Sequence, residues 1–399
     1  MLKGKNIVLG VTGGIAAYKA AELTREMIKK GANIRVIMTP SATEFITPLT
    51  MQVLSGHPVF TDMFRQEVYD INHIRLAEFA DALVVAPATA NIIGKIASGI
   101  ADDLLSTVLM AVRAPVLICP AMNTNMYLNP IVQSNMGRLR DLGYHFLDPA
   151  YGELACKAEG VGKLADVPDI VEAVESILTE KDLLGERILV TAGPTREPFD
   201  PVRFITNYSS GKMGYALATA ACRRGAEVTL ISGPSALVPP RHVHFVAVSS
   251  AEEMRDAVLK HLPGATVVIK AAAVADYRPR TQASQKIKKT KGTLVIELER
   301  NPDILAEVAR QKGARIIVGF AMETENLLEN ARSKLRKKHL DLIVANDLGE
   351  PGAGFQGDTN IIKILDGNGG VEALPLMDKH EAADRILTRV KGLREKPHA

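Results

Sequence analysis

The chain opens the same way twice, and this repeat constrains its fold more than any other feature. Asn6-Ile7-Val8-Leu9-Gly10 leads through a glycine turn and a helical stretch to Gly31-Ala32-Asn33-Ile34-Arg35-Val36-Ile37. Arg187-Ile188-Leu189-Val190 leads in the same manner to Gly225-Ala226-Glu227-Val228-Thr229-Leu230-Ile231. Each short apolar run bounded by turn residues reads as a buried strand, and Lys19, Glu22, Arg25 and Glu26 follow the first at helical spacing. Further strands are expected at 82–86, ending before Pro87, and at 115–119, with helices at 15–30, 91–101 and 212–224. Buried strands alternating with helices imply parallel sheets covered on both faces. The charged stretch Thr179-Glu180-Lys181-Asp182, closed by Gly185, is the expected joint. The reading is α/β: two doubly wound parallel-sheet domains of Rossmann or flavodoxin-like type, over 1–180 and 187–399. A length of 399 residues suits two such domains.

Composition then narrows the function. Aromatic residues make up 5% and Trp is absent, leaving little for stacking on single-stranded bases. Cys119, Cys156 and Cys222 form no CxxC pair, which argues against a disulfide scaffold or a zinc site and for a reducing cytoplasm. The apolar start is broken by Gly13-Gly14, and the stretch 108–122 by Arg113, Pro115 and Pro120, so no signal peptide and no membrane partner are expected. Residues 1–180 hold 15 Lys and Arg against 19 Asp and Glu, whereas residues 181–399 hold 33 against 26. A basic half suits polyphosphate or carboxylate ligands. It would also suit a weak nucleic-acid binder, but no recognition motif accompanies it, and no nucleic acid is expected as a partner.

Ligands of such sheets bind at the carboxyl ends of the strands. The loop Gly10-Val11-Thr12-Gly13-Gly14-Ile15-Ala16-Ala17-Tyr18-Lys19 serves as a phosphate cradle or as a plain tight turn. It is neither GxGxxG nor a P-loop. Strand two ends in Thr39-Pro40 with no acidic residue to grip a dinucleotide ribose, which favours a mononucleotide such as FMN over NAD. Pro87-Ala88-Thr89-Ala90-Asn91 and Pro120-Ala121-Met122-Asn123 bring hydroxyl and amide donors to the same edge. His73 by itself reads as a surface or satisfied core histidine, and a lone Cys156 as a small apolar residue. The Gly-rich, charged segment around Cys156 makes burial a poor account of it.

These residues resemble a known family. The first half, with Thr12-Gly13-Gly14-Ile15-Ala16-Ala17-Tyr18-Lys19, His73, Pro87-Ala88-Thr89-Ala90-Asn91, Asp102-Asp103-Leu104, Pro120-Ala121-Met122-Asn123 and Cys156, is similar to the flavin-dependent cysteine decarboxylases. The second half, with Thr191-Ala192-Gly193-Pro194-Thr195-Arg196-Glu197-Pro198, Asp200-Pro201-Val202-Arg203, Thr206-Asn207-Tyr208-Ser209-Ser210-Gly211-Lys212-Met213-Gly214, Ala271-Ala272-Ala273-Val274-Ala275-Asp276-Tyr277, Lys286-Ile287-Lys288-Lys289 and Asn301-Pro302-Asp303-Ile304, resembles the phosphopantothenate–cysteine ligases. Together they resemble the fused bacterial coenzyme A biosynthesis family.

That resemblance implies a ligase joining cysteine to 4′-phosphopantothenate through an acyl-cytidylate, with CTP and Mg2+, and an FMN-dependent decarboxylase yielding 4′-phosphopantetheine. It implies His73, Asn123, Cys156, Asn207 and Lys286 as catalytic residues, with no metal ligands assigned. It implies Gly13, Gly14, Ile15, Thr39, Thr89, Ala90, Asn91 and Ala121 at FMN. It implies Ala271, Ala272, Ala273, Asp276, Lys286, Pro302, Asp303, Ile304, Leu305, Phe320, Lys334 and Lys338 at CTP. A cytoplasmic, large homo-oligomer with trimeric and dimeric contacts is expected. A nicotinamide-dependent dehydrogenase, or a regulatory flavoprotein without catalysis, is the competing reading.

Overall fold

The computed structural model describes residues 2–64, 72–153, 159–289, 293–323, 326–347 and 357–395. Two compact units divide the chain, Met1–Thr179 and Glu180–Ala399. The sheet of the first runs, in space, Val59–Phe60, Asn33–Met38, Asn6–Val11, Ala82–Ala88, Val116–Pro120 and His145–Phe146. All neighbours are parallel. In chain order this is 3-2-1-4-5-6, so the winding reverses between the first and fourth strands, where such sheets open a crevice.

Successive side chains of a strand face opposite ways, which splits the core into two layers. Ile7, Leu9 and Val11 pack on one face with Leu23 and Met27 of helix Lys19–Lys29 and with Ile170 and Val174 of helix Val167–Leu178. Val8, Leu83 and Val85 pack on the other with Ile92 and Ile96 of helix Ala90–Ser98 and with Leu105 and Val108 of helix Leu104–Ala111. Full burial of each such aliphatic side chain contributes about 1.5–3 kcal/mol.

Two local expectations are corrected here. The fourth strand continues through Pro87 to Ala88, because its pairing with Val116–Pro120 resumes after an irregularity at Ala88↔Pro120. The helix expected at 91–101 is Ala90–Ser98; Gly99, with φ of 69°, turns the chain left-handed and ends it.

The second unit repeats the scheme. The eight strands of its main sheet run Val243–Ala247, Glu227–Ser232, Arg187–Ala192, Val267–Lys270, Ile316–Glu323, Leu342–Asp347, Ile362–Asp366 and Val371–Ala373. The first six are parallel in the same 3-2-1-4-5-6 order. The last two strands run antiparallel to their neighbours and add a mixed edge to the expected parallel sheet. They are joined to each other by a tight hairpin, in which the Asp366 carboxylate accepts from the Asn368 and Gly370 N–H groups, too short for a crossover helix. Ile188 and Val190 pack with Leu217 of helix Lys212–Arg223 and Ile386 of helix Lys379–Arg394. Leu189 and Val268 pack with Met254 of helix Ala251–His261 and Val308 of helix Ile304–Arg310.

Each unit has its own core on both sheet faces. Fragments 1–180 and 181–399, expressed separately, are therefore expected to unfold cooperatively on heating, followed by circular dichroism. A fragment that is soluble but shows no transition would contradict this.

Candidate active sites

In the first unit a cavity of about 570 Å3 opens where the first and fourth strands part. Gly13, Gly14, Ile15, Thr89, Ala90, Ala121 and Asn123 line it, together with Tyr18, Lys19, Met122, Met126, Glu153, Lys163 and Leu164, which the sequence reading did not select. Thr12 ties the walls together: its hydroxyl donates to the Pro87 carbonyl at 2.7 Å and accepts from the Thr89 N–H at 3.1 Å. Thr89 in turn caps helix Ala90–Ser98, so that helix directs its N-terminus here. Gly13 is required by space, since a Cβ there would lie 2.3 Å from Ser41 Cβ. Thr39 does not line the cavity. It stands two residues before Ser41, its N–H bonded to the Val11 carbonyl at 3.0 Å. Its buried hydroxyl has no partner among the described residues.

The loop carrying Asn123 is held from the other side. The Met122 N–H donates to the Gly162 carbonyl at 2.9 Å, binding the loop to the hairpin of Ala150–Glu153 and Glu159–Lys163. Asn123 Oδ1 accepts from the Asn125 N–H at 2.9 Å. Cys156 lies outside the described residues, although Glu153 and Lys163 on the flanking strands both line the cavity. His73, on helix Asn72–Phe79, and the exposed Asn91 do not line it. Apolar walls, the backbone of a glycine turn and the N-terminus of a capped helix make a lining that fits a phosphorylated planar ring.

Two cavities of the second unit, of about 520 and 480 Å3, share Ala272, Val274, Asp276, Phe320 and Lys334. The first adds Lys270, Arg300, Pro302, Asp303, Ile304, Leu305 and Lys338. The second adds Asn207, Lys212, Ala271, Ala273, Asn346, Asn360 and Lys379. Backbone bonds shape the shared wall: the Ala272 N–H donates to Thr191 Oγ1, the Ala273 N–H to the Gly193 carbonyl and the Ala275 N–H to Thr195 Oγ1. Asn207 donates its amide to the Val274 carbonyl at 3.1 Å. Gly211, with φ of 81°, turns the chain into helix Lys212–Arg223 beside it, a conformation that other residues adopt at a cost.

Lys334 donates to the Phe320 carbonyl at 2.9 Å, and Lys338 pairs with Asp303. Burial pushes the Asp303 carboxyl up, but the bonds from Lys338 and the Ala306 N–H outweigh it and hold it below the ordinary range. Burial and the neighbouring Lys212 bring the Lys379 ammonium down. Sequence reasoning gave no role to Lys270, Asn346, Asn360 or Lys379, nor to Lys212 within the motif that contains it. For Lys270 a signal existed: a lysine closing the apolar run Val267-Val268-Ile269.

Lys286, expected among the nucleotide residues, is exposed and lines neither cavity. Its neighbour Ile287 is anchored instead: the Ile287 N–H donates to Asp200 at 3.2 Å and its carbonyl accepts from Arg203 at 3.0 Å. Arg203 and Asp200 pair at 2.6 Å. The Arg203 guanidinium, followed by the N–H groups of Val202, Ile287 and Arg203, overcomes burial and holds the Asp200 carboxyl far below the usual range. A depressed folded value means that this stabilisation is complete above the unfolded value near 3.9 and is lost as pH falls from there. Asp200→Asn should therefore lower the melting temperature at pH 7, and the gap from the natural chain should shrink below about pH 4. A gap that widens on acidification would refute the assignment.

Both halves of the chain match known proteins. A flavoprotein family model matches residues 1–179, and one for the DNA/pantothenate metabolism flavoprotein C-terminal domain matches residues 183–393. The coenzyme A biosynthesis bifunctional protein CoaBC of Bacillus subtilis (strain 168) is 49% identical over 398 residues, 98% of each chain. The corresponding protein of Escherichia coli (strain K12) is 46% identical over 395 residues, 98% of this chain and 97% of that one. A crystal structure of the C-terminal domain of such a protein is 48% identical, with a TM-score of 0.47, and covers 54% of this chain and 99% of its own.

Proposed function

We propose a function from one premise: this chain belongs to the family of coenzyme A biosynthesis bifunctional proteins. It is a bifunctional enzyme of coenzyme A biosynthesis, with decarboxylase and ligase activities. We assign the decarboxylase to the first unit, acting on 4′-phosphopantothenoylcysteine with FMN, and the ligase to the second, acting on 4′-phosphopantothenate, cysteine and CTP. The observation that carries the ligase reading is the pair of cavities sharing Asp276, Phe320 and Lys334. Activating a carboxylate requires a nucleotide and an acid held side by side.

In the second unit, Ala272, Asp276, 302–305, Phe320, Lys334 and Lys338 would hold CTP in one cavity, with Ala271 and Ala273 on the other side of the shared wall, and Asn207 would hold the acyl group in the other. The lysines oppose the charge that develops on phosphoryl oxygens. Lys286, on its exposed loop, would reach the triphosphate from outside. Among the described residues no group of three His, Cys, Asp or Glu is placed to hold a metal ion. Mg2+ would therefore arrive on the triphosphate, bound largely by phosphate oxygens and water.

In the first unit, Gly13, Gly14, Ile15, Thr39, Thr89, Ala90, Asn91 and Ala121 would hold FMN. When bound, FMN supplies two-electron redox chemistry, allowing the thiol to be oxidised so that the carbanion left by CO2 has an electron sink. Asn123 would grip the departing carboxylate, His73 would act near the thiol or carboxylate in the first step, and Cys156 would return a proton in the last. A free thiol titrates near about 8.5 and is mostly protonated at pH 7, as an acid must be. No described helix is long and apolar enough to cross a membrane. A cytoplasmic location and a large homo-oligomer complete the reading, the latter measurable by light scattering.

The full chain incubated with phosphopantothenate, cysteine, CTP and Mg2+ should release CO2 and form 4′-phosphopantetheine. Acyl product without CO2 would remove the decarboxylase assignment; neither product would remove both.

The roles of Cys156 and His73 separate by variant. Cys156→Ser should still release about one CO2 per bound flavin, then accumulate an enethiol in place of the thiol, because serine is a far weaker acid. His73→Asn should release none. An undiminished rate of phosphopantetheine formation by Cys156→Ser would show that the proton comes from elsewhere.

A further inference from the structure

Lys270 ends the strand Val267–Lys270, in register with Thr191 on one side and Gly319 on the other. Two residues after Val268, it shares that residue's face of the sheet, where Val268 packs with Ile304, Val308 and Leu335. It therefore stands among apolar neighbours at the inner end of the larger ligase cavity. Only 8% of the residue is exposed, and its Nζ is buried with no hydrogen-bond partner among the described residues. The side chain thus does not reach water in the usual way of a half-buried lysine. The charged and titratable groups around the same cavity are Asp276, Tyr277, Arg300, Asp303, Lys334 and Lys338. Only Asp303 acts on Lys270 as an opposing charge, and its carboxylate is already engaged by Lys338 and the Ala306 N–H.

A buried amine without a partner is costly unless something completes it. The cavity that Lys270 lines is the proposed nucleotide cavity. We propose that Lys270 is a further nucleotide-binding residue, its amine donating to an acceptor oxygen of the bound nucleotide and gaining a proton as that oxygen arrives. The inference rests on the nucleotide reading of the second unit and adds a residue and a proton to it. Burial, only partly offset by Asp303, brings the empty-site amine down to about 7, so near pH 8 it is mostly neutral before binding. An acceptor oxygen, anionic above all, favours the ammonium and draws the proton from solvent. The oxygen belongs either to the base or to the phosphate chain. Both offer the same chemistry, and ligand fragments tell them apart.

The test is calorimetric titration of the full-length protein with CTP in buffers of different ionisation enthalpy. The natural chain at pH 8 should take up close to about one proton per site beyond what CTP itself takes up, falling toward none near pH 6. Lys270→Met should lose that uptake and bind about 10–100-fold more weakly. Lys270→Arg should bind without the uptake, because its charge is permanent. Thermal unfolding of both variants establishes that they fold, and the arginine variant keeps the test intact if the methionine variant does not. Titrations with cytidine and with inorganic triphosphate assign the oxygen to whichever fragment carries the uptake. Equal uptake and affinity in the natural chain and both variants would overturn the role of Lys270 alone. Failure of the natural chain to bind CTP would overturn the nucleotide reading, and this inference with it.

Discussion

A threonine hydroxyl spanning two loops underlies both sites. Where the first and fourth strands part, the backbone beyond them leaves the regular ladder, and unpaired buried N–H groups are costly. In the first unit Thr12 joins the Pro87 carbonyl and the Thr89 N–H. In the second, Thr191 and Thr195 accept from the N–H groups of Ala272 and Ala275. Each bond contributes about 1 kcal/mol net, but leaving its buried partner unpaired would cost about 1–3 kcal/mol. The hydroxyls fix the distance between the crevice walls. The glycine turn, the capped helix and the alanine wall take their places from that distance.

On this common frame the two units differ in lining. The first cavity is walled largely by Ile15, Ala90, Ala121, Met122, Met126 and Leu164, a surface for a flat apolar ring. The second pair is rich in lysines. Lys334 bonds a neutral carbonyl, and Lys212 an exposed Asp358. A phosphate can compete for such cations more readily than for one locked to a buried carboxylate. The Asp200–Arg203 pair is the contrasting case. It is buried on the carboxylate side, closed by three backbone N–H groups, and holds a loop in place without facing either cavity.

Much of this was legible before any coordinates. The repeated opening of strand, glycine turn, helix and Gly-Ala announced two α/β units, because buried parallel strands carry near-continuous apolar runs. The loops after those strands supplied most of the cavity linings. Other features depend on which strands pair, and pairing is not local. The antiparallel hairpin at the edge of the second sheet hides in residues 362–373, a short segment with no parallel-sheet signature. The exposure of Lys286 follows from the loop that Asp200 anchors more than eighty positions away. Thr39 belongs behind the glycine turn because Ser41 fills the space beside Gly13. Lys270 looked like the end of a strand. Its significance comes from the register that sets it between Thr191 and Gly319, facing inward.

The two ligase cavities gain meaning from the wall they share. Asp276, Phe320 and Lys334 border both, and Asn207 reaches that wall by bonding the Val274 carbonyl. On the proposed reading an acid in one cavity and a nucleotide in the other would be held within reach without a collision in solution, the condition under which orientation lowers a barrier most. Lys334 sits on the dividing line, its ammonium resting on the Phe320 carbonyl. From there it can follow charge that moves from the carboxylate of one ligand to the phosphoryl group of the other. A cation fixed deep in either cavity would favour one ligand's ground state. One placed between them favours the stage at which the charge is shared, and only that preference speeds the step.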